Sequence, residues 1–334
     1  MPNSSKTDRD VAVIVPCYNV EDCLQRALDS AFDQTYADFH VYAVDDGSTD
    51  DTARILENNA HRCSFNSQPH AGPAAARNCA LRMSESPFVA FLDADDEWLP
   101  RKLERQVELL KQDPTLGLVC SLCLLSESGM ESHDMLAGTG IPTTGKLFEH
   151  LVRNCFVFTP TVVVRRRCLE EVGLFNESLA VSEDFNLWLR IAARWKIALL
   201  PEVLAITHKR TGSLSARVSP EERLKNGITA LEHVQSSCPG LSASESHALR
   251  DALADRHYFH GSFLLSAGAK GRSRRSLASA LRLRHTHWRA FAKLGLSFLP
   301  ARAFQSIAGL KAKLAYRPLS KDSSQFAPRD ASSI

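Results

Sequence analysis

Phe88-Val-Ala-Phe-Leu-Asp-Ala-Asp-Asp-Glu-Trp98 is the stretch on which the fold turns. Five apolar residues, Phe88 to Leu92, run without a charge and break into four acids within positions 93 to 97. An apolar run of this length, led by Pro87, reads as a buried strand. In an open α/β sheet, ligands sit outside the carboxyl ends of the strands. Asp93, Asp95 and Asp96 therefore fall where a binding crevice would open. Asp93 and Asp95 form an Asp-x-Asp pair just past the strand end. Such a pair can share one hard cation, Mn²⁺ or Mg²⁺, with the phosphates it carries. The same acids also suit the N-terminus of a helix beginning at Leu99.

Outward from this stretch, short apolar runs alternate with helical periodicity. Val11–Val15 reads as a strand ended by Pro16-Cys-Tyr-Asn19, because proline cannot continue a central strand. Glu21–Phe32 is helical through Leu24, Ala27, Leu28 and Ala31. Phe39–Val44 is a second strand, ending in Asp45-Asp-Gly-Ser-Thr-Asp50, where Asp50 or Thr49 can cap the next helix. Pro69–Pro73 is a turn, and Ala74–Met83 a helix with Arg77 in its first turns. After the acidic run come a helix from Leu99 to Lys111, a strand over Leu118–Leu125 and a polar loop over 126–145. Leu147–Arg153 reads as a helix, Pro160–Val164 as a strand, Phe185–Ala193 as a helix behind Ser182-Glu-Asp184, and Ile197–Ile206 as the last strand. This alternation predicts an α/β fold with a mostly parallel sheet flanked by helices. Beyond residue 218 only helices are expected: Pro220–Val234, Ser244–Leu265, Ser273–Leu283 and Trp288–Leu310. The expected organisation is a flexible 1–9, a domain over 10–217, a helical region over 218–318 and a disordered tail over 319–334.

Five motifs occur in order: Val13-Ile-Val-Pro-Cys-Tyr-Asn19, Val44-Asp-Asp-Gly-Ser-Thr-Asp50, Ala71-Gly-Pro-Ala-Ala-Ala-Arg-Asn78, Phe91-Leu-Asp-Ala-Asp-Asp-Glu-Trp98 and Glu183-Asp-Phe-Asn-Leu-Trp-Leu-Arg190. Together, over residues 10–216, the set resembles a family 2 glycosyltransferase of GT-A fold, a Rossmann-like architecture. The resemblance implies inverting transfer from a nucleotide sugar, usually UDP-linked, assisted by Mn²⁺ or Mg²⁺, to a glycan or lipid-linked acceptor. It implies Asp184 as general base, with Glu183 as runner-up. It implies Asp95 as the metal carboxylate, helped by Asp93 through metal or nucleotide contacts. Asp46 would read the uracil edge, and Pro16 and Tyr18 would line the base pocket. Arg77 is either a partner of the nucleotide diphosphate or a solvated helix arginine. Trp188 and Arg190 read as packing and structural pairing. The chain departs from the family near its last motif: His208 and Arg210 stand where many relatives carry an Arg-x-His pair.

Composition bounds the alternatives. The net charge of +2 conceals an imbalance. Residues 1–255 hold 25 Lys and Arg against 36 Asp and Glu, while residues 256–334 hold 15 against 2. Basic residues interleaved with Trp288, Phe291, Phe298 and other apolar residues read as an amphipathic surface for an anionic membrane, or as a helical cap on the catalytic domain. No nucleic-acid module accompanies the charge, so no nucleic-acid partner is expected. The nine cysteines are scattered and odd in number, which favours reduced thiols. Cys120-x-x-Cys123 lies inside an apolar run and reads as buried packing. With no signal peptide or membrane span visible, the expected location is cytoplasmic, with peripheral attachment to the membrane's cytoplasmic face open. Two other functions share the sheet logic. A nucleotidyltransferase would want a Gly-rich phosphate loop after the first strand, which Pro16-Cys-Tyr-Asn19 is not. A non-catalytic nucleotide-sugar-binding protein would have no use for Asp93, Asp95 and Asp184 together.

Overall fold

The computed structural model describes residues 9–126, 130–131, 141–208 and 217–299. In chain order the first elements are β1 (Val11–Cys17), α1 (Leu24–Phe32), β2 (Phe39–Asp45), α2 (Thr52–Asn58), β3 (Cys63–Ser67), α3 (Pro73–Arg82) and β4 (Phe88–Phe91). Then come β5 (Glu97–Trp98), α4 (Lys102–Gln112), β6 (Leu116–Leu125), β7 (Met130–Glu131), β8 (Thr144–Gly145) and α5 (Phe148–Arg153). A 3₁₀ turn, Thr159–Thr161, leads into β9 (Val163–Arg165), α6 (Arg166–Val172), α7 (Glu183–Ala192) and β10 (Lys196–Thr207). Four helices complete the described chain: α8 (Pro220–Ser237), α9 (Ala243–Ser266), α10 (Lys270–Leu283) and α11 (Trp288–Leu296).

The strands form one sheet in the order β3-β2-β1-β4-β9-β6-β10-β5. The half from β3 to β4 is parallel, with Val11 in register with both Phe39 and Phe88. β9 lies antiparallel between β4 and β6, and β6 and β10 are parallel again. Side chains alternate across the pleat, so β1 divides its apolar residues between two cores. Val11, Val13 and Val15 pack with α1 and α4, while Ala12 and Ile14 face α3, α5 and α7. Ile228, Leu231, Leu249 and Leu253 of α8 and α9 join the second core. The first two helices of the C-terminal region thus share the sheet's own apolar interior. Each is opened by a capping box, Ser219 with Glu222 and Ser242 with Glu245.

Several expected boundaries move. The helix expected from Leu99 begins at Lys102, because Glu97 and Trp98 are drawn into the sheet against β10. The Trp98 indole N–H then donates to Pro160 O at 2.7 Å. The run at Pro160 opens as a 3₁₀ turn and becomes strand only at Val163. β3 escapes the sequence reading because its Cys-Ser-Phe-Asn-Ser is mostly polar, as suits an edge strand. α6 was also missed, and Gly173 ends it with φ of 82°. The helix expected over Trp288–Leu310 ends at Leu296, and its remainder from Pro300 lies outside the described residues, as do residues 1–8, most of 126–145, Arg210 and the tail.

Candidate active site

Two loops at the carboxyl ends of β1 and β2 are stitched together by side chains. Asn19, in the left-handed region with φ of 51°, accepts Thr49 N–H at 2.8 Å. Val20 N–H donates to Thr52 Oγ1 at 2.9 Å, and Asp50 Oδ1 accepts the first amide of α2. Gly47 has φ of 76°, and a Cβ there would stand 2.9 Å from His70 N. The segment 68–72 therefore folds closely over the Asp46 turn. Asp46 is buried, with Oδ1 accepting Gln68 Nε2–H at 2.7 Å and Ala71 N–H at 2.9 Å, and Oδ2 accepting Gly72 N–H at 2.8 Å. His70 Nδ1 also lies 2.8 Å from Asp46 Oδ2, and its ring stacks on Tyr18 at 3.9 Å. Tyr18, Asp46 and His70 thus form one cluster beside Pro16. The sequence reading took His70 only as part of a turn. Its stacking partner lies 52 residues away, so no local pattern could reveal it.

The acidic run makes a tight turn past β4, with Asp96 N–H donating to Asp93 O at 3.0 Å. Arg26 of α1 donates to Asp95 O at 3.0 Å and pairs with Glu97 at 3.1 Å. From the end of β10, His208 N–H donates to Asp96 Oδ1 at 2.9 Å, and its Nε2 lies 2.6 Å from Glu97 Oε1. Burial, with Asp93 and Asp95 beside it, pushes the Asp96 carboxyl up to about 9. The turn is therefore pinned from both sides, leaving Asp93 and Asp95 partly exposed at the crevice.

Arg77 is not a solvated helix arginine. Its guanidinium is buried, donating from Nη2 to Asp93 Oδ1 and from Nη1 to Glu183 Oε1, both at 2.7 Å. Burial works against its charge, but Asp93 and Glu183 outweigh that and raise its pKa. Two of the fork's nitrogens are engaged by these carboxylates.

α7 starts from Ser182, a second non-glycine residue in the left-handed region, with φ of 69°. Strain of this kind is stored where the surroundings over-determine it. Here nearly all of α7 is buried. Trp188 packs 5.6 Å from Phe91 and 6.0 Å from Phe175. Arg190 donates to the carbonyls of Val172, Gly173 and Leu174, closing the end of α6. These are the packing and pairing roles expected of them. Glu183 is buried, and burial first, then the Asp184 carboxylate, push it up to about 7 against the pull of Arg77. Asp184 is partly exposed, and its Oδ2 accepts the Thr159 hydroxyl at 2.9 Å. Thr159 is held in turn: Trp98, Gln106 and Lys102 donate to the carbonyls of Pro160, Thr161 and Val162. Thr159 is a site neighbour that the sequence reading missed, since nothing local marks it.

Asp93, Asp95, Asp96, Thr159, Asp184 and His208 line a common crevice of about 460 Å³, walled by Cys155, Val157, Phe158 and Pro160. Among the described residues no three His, Cys, Asp or Glu side chains converge as a closed metal cage. Asp93 and Asp95 fit the open kind of site, in which one or two carboxylates leave positions for water and phosphate. Of the nine cysteines none is in a disulfide, and Cys120 and Cys123 are buried in β6 as expected.

The model of glycosyl transferase family 2 matches residues 12–173. The Escherichia coli UDP-Glc:alpha-D-GlcNAc-diphosphoundecaprenol beta-1,3-glucosyltransferase WfgD is 30% identical over 183 residues, which are 54% of this chain and 69% of that protein. The chain belongs to glycosyl transferase family 2. An uncharacterized glycosyltransferase of Rickettsia bellii (strain RML369-C) is 29% identical over 189 residues, 56% of this chain, and the chain spans 27% of that protein's length. Among solved structures, Staphylococcus aureus TarS 1–349 in complex with UDP-GlcNAc is similar, with a TM-score of 0.61 and 21% identity over 82% of this chain and 81% of that one. Mannosyltransferase PcManGT from Pyrobaculum calidifontis, in complex with GDP-Man and Mn²⁺, gives 0.59 and 21% over 93% and 81%. The family 2 chain therefore has the GT-A fold. The matched residues 12–173 include Tyr18, Asp46, Arg77, Asp93 and Asp95, and Asp184 lies eleven positions beyond them.

Proposed function

We propose that this chain is an inverting glycosyltransferase that moves a sugar from a UDP-sugar to a hydroxyl of a lipid-linked glycan at an anionic membrane surface, with Asp184 as general base. One observation carries the reading: the Asp184 carboxylate opens onto the same crevice as Asp93 and Asp95. A proton acceptor and a pair of carboxylates suited to a divalent cation thus face one space. The acceptor oxygen bonds to the anomeric carbon as the bond from that carbon to the diphosphate oxygen breaks. The hydroxyl proton passes to Asp184. The Thr159 hydroxyl donates to Asp184 Oδ2 and the Phe185 N–H to Oδ1, which fixes the orientation of the carboxylate. Positioned proton transfer of this kind contributes about 10²–10⁴-fold.

Asp95 and Asp93 would hold Mn²⁺ or Mg²⁺, which when bound supplies charge neutralisation for the departing diphosphate. The cluster of Tyr18, His70 and Asp46 offers a stacking face and an acid for the nucleobase, with Pro16 near the end of β1. Arg77 serves as a positioning residue, tying the acidic turn to the helix that carries Asp184. The UDP donor and lipid-linked acceptor are also what the WfgD relative's name specifies for that protein.

A donor panel tests the reading. The purified chain with Mn²⁺ is offered UDP-, GDP- and dTDP-sugars, and release of nucleoside diphosphate is followed. Release from a UDP-sugar supports the proposal. Release from a GDP- or dTDP-sugar alone overturns the donor class, and release from none overturns the activity.

A further inference from the structure

We propose that the outer face of α11 and the turn after it form a docking surface for an anionic lipid bilayer. The large apolar side chains most exposed among the described residues are Phe259, Trp288, Phe291 and Phe298, at 53%, 72%, 71% and 65%. Three of these follow one helical face and its continuation, at positions 288, 291 and 298, with Ala292 and Gly295 between them. The opposite face already has its partner: Ala290 is buried and Leu294 half-buried against Leu277, Ala280 and Tyr258. α11 is thus apolar on two sides, and folding of the described chain covers only one of them. An exposed row of aromatics is a feature that soluble surfaces rarely keep without a use.

Charge selects the occupant. From Arg256 to Leu299 the chain carries nine Lys and Arg and no acid. Arg272 pairs with Glu221, and Arg284 with Asp255, so part of that charge is spent within the fold. The cations nearest the aromatic row are placed beside it. Arg289 lies over the Trp288 ring at 5.5 Å and Arg274 over Phe298 at 4.0 Å. A second copy would bring the same cations against these. A bilayer with anionic headgroups answers both features, taking aromatic side chains below the headgroups and cations at their level. A nine-residue helix binds weakly by its apolar face alone, so the basic rim is needed as a second contribution.

Packed helices join α11 to the helix that carries Asp184. α11 rests on α10, α10 on α9, and α9 on α8 and α5. α8 holds the catalytic helix directly, where Asn186 of α7 donates to Ala230 O at 2.8 Å. The inference rests on the proposed reaction at a membrane only for its purpose, and it is measured without that reaction.

The test is flotation of the full chain with vesicles of phosphatidylcholine alone or mixed with phosphatidylglycerol. Recovery should be at least about tenfold higher with the anionic vesicles and should fall as salt is raised, since exposed charges are screened over about 8 Å at physiological ionic strength. Trp288→Ser with Phe291→Ser, and separately Arg289→Glu, should each lose most of that recovery. Trp288, Phe291 and Arg289 are all exposed, so circular dichroism and donor hydrolysis should match the parent. Equal recovery of parent and variants overturns the proposal, as does no recovery of the parent. Binding of a single-stranded oligonucleotide that the variants lose, without binding to vesicles, would assign the face to nucleic acid. A parent dimer that the variants dissolve, again without vesicle binding, would assign it to a second copy. Loss of vesicle binding with donor hydrolysis intact separates this failure from failure of the catalytic reading.

Discussion

Arg77 and Glu183, 106 residues apart, form a buried ion pair in which Nη1 donates to Oε1 at 2.7 Å. The same guanidinium holds Asp93 at 2.7 Å, so one side chain from α3 joins the acidic turn to the first turn of α7. Removing one partner of a buried pair leaves an uncompensated charge, at a cost of about 3–5 kcal/mol. Arg77→Met should therefore lower stability in urea by that order. Arg77→Met with Glu183→Gln should recover part of it, because the stranded carboxylate is gone. Strict additivity of the two substitutions would mean that the pair contributes no coupling.

Removal of the metal carboxylate should separate binding from folding. Asp95→Ala lies in a turn already pinned by Arg26 and His208, so its circular dichroism and urea midpoint should match the parent. Calorimetry with UDP should show tighter binding with Mn²⁺ for the parent and no metal dependence for the variant. Persistent Mn²⁺ dependence in Asp95→Ala would move the cation elsewhere.

The nucleobase proposal predicts a loss at Tyr18. Stacking of a base on an aromatic ring is worth about 1–3 kcal/mol by alanine substitution. Tyr18→Ala should weaken UDP binding by about tenfold, with little effect on the Mn²⁺ requirement. Undiminished UDP affinity would place the base away from the cluster of Tyr18, His70 and Asp46.

Lys102 should make stability depend on pH. Its ammonium is fully buried, 3.4 Å from Val162 O and 4.2 Å from the Trp98 ring, and burial holds its pKa well below the usual 10.5. A base depressed in this way binds fewer protons folded than unfolded. Its contribution to stability is therefore lost as pH falls below 10.5, with a slope of up to about 1.4 kcal/mol per unit. Lys102→Met removes that slope. Its advantage over the parent in urea should be larger at pH 7 than at pH 10. The same difference at both pH values would show that the lysine stays charged in the fold.

Much of this site is written locally. The apolar run that ends in acids at Asp93 becomes a strand with its tip at the crevice, because strand period and turn chemistry are properties of neighbours in sequence, although Pro16 does not end β1, which runs on to Cys17. Asp93 and Asp95 could be placed at a crevice on that logic, whereas Asp184 is reached only through the resemblance of its motif to the family's. The fate of Arg77 could not be read locally, since its two partners come from the acidic turn and from a helix 106 residues away. Thr159 and His70 are hidden for the same reason, their roles being set by tertiary contact alone. The polar edge strand β3 and the antiparallel β9 have weak or ambiguous patterns of their own. Sheet order decides them, and sheet order is a global property.

The central claim is that Asp184 takes the acceptor proton. Asp184→Asn keeps the size and one accepting oxygen but removes the basic carboxylate. Single-turnover transfer from the UDP-sugar to a lipid-linked acceptor should fall by at least about 10²-fold, while UDP-sugar affinity stays within about twofold of the parent. Transfer at the parent's rate with unchanged donor affinity would contradict the account and pass the role to Glu183 or another acid.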